Sequence, residues 1–98
     1  MNIKINDNDE RVVLELKGKL DKYTSPALEN EILKILPNLQ NRMLEIDMSN
    51  VTYLSSAGLR VLLTTHKEIN GKMVVTHVKD EIKEIFKITG FTKVLTIE

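Results

Sequence analysis

Apolar positions along the chain change period several times, between about 2 and about 3.6, which is how strands and helices alternate. Ile3-Lys4-Ile5-Asn6 alternates and predicts a short strand. Arg11 to Lys17, with Val12, Val13, Leu14 and Leu16, predicts a second, and the Asp7-Asn8-Asp9-Glu10 turn joins the two as a hairpin. Gly18 breaks the pattern. Thr24-Ser25-Pro26 opens a helix, because a hydroxyl caps free amides and Pro loses nothing at the first helical position. Leu28, Ile32, Ile35 and Leu36 give that helix one apolar stripe, and Pro37 helps to stop it. Met43 to Asp47 predicts a third strand. Ser55 and Ser56 precede a second periodic run, Leu59, Leu62, Leu63, His66 and Ile69, which Asn70-Gly71 ends with a residue suited to positive φ. Lys72 to His77 is a fourth strand, Asp80 caps a third helix bearing Ile82, Ile85 and Phe86, and Thr89-Gly90 closes it. Val94 to Ile97 makes a last strand.

The order is strand, strand, helix, strand, helix, strand, helix, strand. Strands joined through helices run parallel with right-handed crossovers, whereas the hairpin is antiparallel. The expected fold is therefore α/β: a mixed, mostly parallel sheet of four to five strands, with three to four helices packed mainly on one face. Residues 1–98 form one domain, the size that a single core supports. No repeat, linker or low-complexity run interrupts it.

Composition narrows the functional classes. Hydrophobic residues make up 42% and charged residues 29%, the balance of a globular chain rather than a disordered one. Only four residues are aromatic, two Tyr and two Phe, so the core must be aliphatic. Fourteen basic residues balance fourteen acidic ones, which leaves no field to attract nucleic acid. No cysteine is present, so disulfides and thiolate metal sites are excluded. No stretch is apolar enough for a signal peptide or a membrane span, and a soluble cytoplasmic protein is expected.

Candidate chemistry concentrates between Asp47 and Leu63, where a strand ends, a short loop crosses and a helix starts. Sites in open α/β sheets sit beyond the carboxyl ends of strands. Ser56 falls at or near the helix N-cap, where free amides and the helix dipole favour negative charge. Two serines occupy a place where one cap suffices. Ala57 and Gly58 leave the adjoining surface bare, and Gly58 permits close approach, while Tyr53 and Leu54 are apolar anchors for the loop. His66 and His77 stand alone, without carboxylates at ligand spacing, and no metal site is expected from them. The Gly-x-Ser-x-Gly pattern of a nucleophile elbow and the phosphate-binding P-loop are both absent, so neither an enzyme nor a nucleotide cofactor is expected.

The segment Val51-x-Tyr53-Leu54-Ser55-Ser56-Ala57-Gly58-Leu59-x-Val61-Leu62 resembles the signature of the STAS domain family, and within it the bacterial anti-sigma-factor antagonists. Gly18-Lys19-Leu20-Asp21, Asn70 to Val75 and Ile85 to Phe91 resemble further segments of that family, so the likeness covers nearly the whole chain. The resemblance implies a phosphorylation-controlled binding protein. Unmodified, it would bind a partner that is both anti-sigma factor and serine kinase. Phosphorylation of Ser56 would end the binding, and a serine phosphatase would restore it. Asp21 would lie near Ser56, and the docking surface would include Asp21, Thr24, Ser55, Ser56, Gly58 and Arg60. Family members often carry Asp immediately before the modified serine; here that residue is Ser55, which stands as a rival acceptor. The alternative is a stand-alone STAS subunit of a transport or stress-sensing complex without phosphorylation control. A monomer or weak dimer fits either reading.

Overall fold

A computed structural model describes all residues from Met1 to Glu98. Five strands and three helices follow one another in the expected order: β1 (Asn2–Asp7), β2 (Arg11–Leu20), α1 (Ser25–Ile35), β3 (Met43–Leu54), α2 (Ser56–Glu68), β4 (Met73–Thr76), α3 (Asp80–Thr89) and β5 (Thr96–Ile97). Strand order in the sheet equals chain order. β1 pairs antiparallel with β2, and every later pair is parallel. The hairpin turn is fixed by Asn8, whose Oδ1 accepts the N–H groups of Glu10 and Arg11 at 3.2 and 2.9 Å.

One face of the sheet is apolar. Val12, Leu14 and Leu16 of β2, Leu44, Ile46 and Met48 of β3, and Met73 and Val75 of β4 are buried at alternate positions, as the strand period requires. They join Leu28 and Ile32 of α1, Leu59 and Leu62 of α2, and Ile82 and Phe86 of α3 in one cluster. All three helices thus cover one face. The other face carries half-buried Arg11, Glu15, Glu45 and Asp47. No helix is long and apolar enough to cross a membrane.

Several local expectations give way to tertiary pairing. Gly18 does not end β2. It adopts φ 114° beside register shifts against β3, so the strand bulges and continues to Leu20. β3 runs well past Asp47, because Asn50, Val51, Tyr53 and Leu54 pair with the continued β2, and this absorbs the expected loop. Pro37 lies within a short 3₁₀ turn, Leu36–Asn38. Asp80 is the first helical residue of α3, not its cap; Lys79 precedes it without a side-chain hydrogen bond. β5 shrinks to Thr96–Ile97 because Phe91–Lys93 curls into a 3₁₀ turn, with the Leu95 N–H donating to the Phe91 carbonyl at 2.8 Å. Asn70 and Gly71 end α2 with φ of 55° and 81°, and Gly90 ends α3 with φ 79°.

Candidate functional site

The long pairing of β2 with β3 brings two helix starts together at the carboxyl end of the sheet. Leu20 pairs with Leu54, and the Ser55 N–H donates to the Leu20 carbonyl at 2.9 Å. Asp21 therefore leaves β2 beside the point where Ser55 leaves β3.

At the start of α1 the Thr24 and Ser25 hydroxyls both have structural work. Asp21 Oδ1 accepts the N–H groups of Tyr23 and Thr24 at 2.9 and 3.0 Å. Thr24 Oγ1 donates to the Lys19 carbonyl at 2.7 Å and accepts the Asp21 N–H at 2.9 Å. Ser25 is buried, its Oγ donating to the Asp21 carbonyl. Thr24 occupies the N-cap position but forms no side-chain cap to the helix, contrary to the simple capping expectation. Its hydroxyl is used in closing the Lys19-to-Thr24 turn. The pKa of Asp21 is lowered, first by the Thr24 N–H and further by the Tyr23 N–H, the Thr24 hydroxyl and the charge of Lys19; partial burial opposes the shift. Asp21 is thus a carboxylate at neutral pH.

The start of α2 divides its labour differently. Ser55 is the N-cap: its backbone is extended, at φ −99° and ψ 171°, and its Oγ accepts the Gly58 N–H at 3.3 Å. Ser56 is the first helical residue, exposed, and takes no part in the cap. The Ser56 and Ala57 amides have no carbonyl behind them in the helix, so an anion on Ser56 would meet the positive end of the dipole. Gly58 is buried, and the close approach it allows is inward: a Cβ there would lie 2.6 Å from Leu20 Cγ and 3.0 Å from Leu54 Cδ1. Its expected place on a docking surface is therefore corrected to a packing role that seats α2 on the sheet. Arg60 is exposed one turn beyond Ser56.

Asp21, Lys22, Tyr23, Tyr53, Ser55, Ser56 and Ala57 line one shallow cavity of about 330 Å³. Tyr23 is 79% exposed and Tyr53 50%, so half of the chain's aromatic residues stand open around Ser56. Tyr53 is thus not the buried anchor its sequence context suggests; Leu54 alone fills that role, at 4% exposure. The signal that could have found the tyrosines was their polar flanks, Lys22 and Thr24 on one side and Thr52 on the other. Lys22 Nζ sits 5.1 Å from the Tyr23 ring centroid, a cation–π distance. Both histidines lie elsewhere: His66 half-buried on α2, and His77 beside Glu45 and Asp47 on the opposite sheet face.

The class of domain is thus a one-sided mixed α/β sheet with an exposed serine at a helix start beyond the carboxyl ends of its strands. The chain matches the STAS domain over residues 1–98 and belongs to that family. It is 30% identical over 100 residues to the anti-sigma-B factor antagonist of Staphylococcus aureus, covering 99% of this chain and 92% of that one. A crystal structure of an anti-sigma factor antagonist from Mycobacterium paratuberculosis superposes with a TM-score of 0.88 at 26% identity, covering 98% of this chain and 83% of that one. The Bacillus cell fate determinant SpoIIAA in its phosphorylated form shares the fold, with a TM-score of 0.73 at 14% identity over 99% of this chain and 91% of that one.

Proposed function

We propose that this chain is an anti-sigma-factor antagonist that docks through the surface around Asp21, Tyr23, Tyr53, Ser56 and Arg60, and that phosphorylation of Ser56 ends the docking. The observation that carries the proposal is the division between neighbouring serines. Ser55 Oγ is committed to the Gly58 N–H, whereas Ser56 is exposed and outside the cap. A kinase can reach Ser56 without unmaking the helix start, which favours it over Ser55 as acceptor. The names of the Staphylococcus and Mycobacterium relatives support the class of partner, and the phosphorylated SpoIIAA supports modification on this fold.

A phosphate adds about −1.5 to −2 charges at neutral pH. Burying it unpaired at an interface costs at least about 2 kcal/mol, and each 1.4 kcal/mol is about tenfold in affinity. Loss of roughly 30-fold or more follows with no refolding. The partner is an anti-sigma factor with serine-kinase activity, and a serine phosphatase resets the switch. Asp21 and Thr24 serve by shaping the turn that presents Tyr23. Titration of the unmodified and phosphorylated chains against that partner tests the reading: tight binding only without phosphate supports it, and equal affinity overturns it.

A further inference from the structure

The sheet face turned away from the helices holds a second cluster, independent of the switch. Glu45 and Asp47 stand two residues apart on β3 and so share that face. The parallel register sets Asp47 against Thr76, and His77 follows directly. His77 takes φ 55°, uncommon outside glycine, and its Nδ1 lies 3.4 Å from Asp47 Oδ1. One ligand atom from each of Glu45, Asp47 and His77 lies within 4.8 Å of the others.

Outer hydrogen bonds already orient the two carboxylates. Arg11 Nη1 donates to Glu45 Oε1 at 3.0 Å, Thr76 Oγ1 to Glu45 Oε2 at 2.8 Å, and the Ser49 N–H to Asp47 Oδ1 at 2.9 Å; Thr76 Oγ1 also lies 3.2 Å from His77 Nδ1, a contact that a metal on that nitrogen would replace. Each carboxylate oxygen can accept more than one bond, so these contacts leave room for a metal. Supporting bonds of this kind fix ligands around metal ions. Charge favours a cation as well: three carboxylates gather here, Glu45 and Glu98 sharing the single guanidinium of Arg11 while Asp47 faces His77. The 3.4 Å between the His77 nitrogen and the Asp47 oxygen fits two ligands of one tetrahedral ion at about 2.0–2.2 Å from each.

We propose that Glu45, Asp47 and His77 form a site for a divalent transition-metal cation of the zinc class, with water as the fourth ligand. Two carboxylates and one imidazole suit such an ion. Chain spacing conceals the site, since only the β3–β4 pairing brings His77 to the acidic residues.

Calorimetric titration of the metal-stripped full chain with zinc chloride tests this. The expected result is one zinc per chain and a melting temperature raised by about 5 °C or more at saturation. His77→Gly, which suits the left-handed backbone while removing the imidazole, should weaken zinc binding at least tenfold and abolish the thermal shift. Asp47→Asn should weaken it similarly, and His66→Gln should leave it unchanged. Zinc should also shift the imidazole NMR signals of His77, and not those of His66, in the unsubstituted chain. Absence of zinc uptake, unchanged affinity in His77→Gly, or a response at His66 instead would overturn the proposal.

Discussion

The two helix starts at the carboxyl end of the sheet are built from the same residue types and use them in opposite ways. Before α1, Asp21, Thr24 and Ser25 spend every side-chain oxygen named in that turn on local backbone groups. Before α2, Ser55 alone makes the cap, and Ser56 is left exposed beside it. A hydroxyl engaged in folding cannot be modified without local damage, because its partners would lose their hydrogen bonds. One left outside the network can be. On the proposed function, the difference separates scaffold from switch within a few residues.

The sharpest way to break this comparison is to place charge at the free position. Ser56→Asp should weaken partner binding roughly 30-fold or more by titration while the melting temperature hardly changes. Ser56→Ala should bind like the unmodified chain and resist being switched off. Gly58→Val attacks the seat of α2. Its new side chain must enter space held by Leu20 and Leu54, and overpacking of this kind costs about 1–3 kcal/mol. In a domain this small that lowers the melting temperature by about 4–8 °C per kcal/mol.

Tyr53→Ala should reduce partner affinity about tenfold with little loss of stability, because the ring is half exposed in the free chain and exposed aromatics often anchor interfaces. Ser55→Ala should cost about 1 kcal/mol of stability through the lost cap, yet leave Ser56 open to phosphorylation. The smallest effect concerns Asp21. Its pKa is lower in the fold than in the unfolded chain, so its contribution to stability is present above the ordinary carboxylate pKa and is lost as pH falls through the native value. Asp21→Asn should therefore flatten the acid limb of the stability profile, read by melts between about pH 5 and about pH 2.

The order of elements was legible because each carries its own period and its own punctuation, as Asn70-Gly71 and Gly90 show. Lengths set by distant pairing were not. Nothing near Asn50 announces that it will pair with Lys17, and so β3 outran its local pattern. Gly18 read as a break because a bulge and a chain end share the same residue preference. At the site, the sequence placed Ser56 at or near the cap of α2, with Ser55 as its rival for modification, but did not show which of the two makes the cap. The choice depends on which residue keeps an extended backbone, and the Leu20–Ser55 hydrogen bond decides that in space. Gly58 looked like an opening toward a partner because bareness along a chain does not tell inward from outward.

The account rests on Ser56 being the hydroxyl left outside the structural network. Incubation of the full chain with an anti-sigma-type serine kinase and ATP, followed by mass-spectrometric mapping, tests this most directly. The account predicts one phosphate, on Ser56, and none in Ser56→Ala. A phosphate found on Ser55, or a chain that stays unmodified while the same kinase binds it, would contradict it.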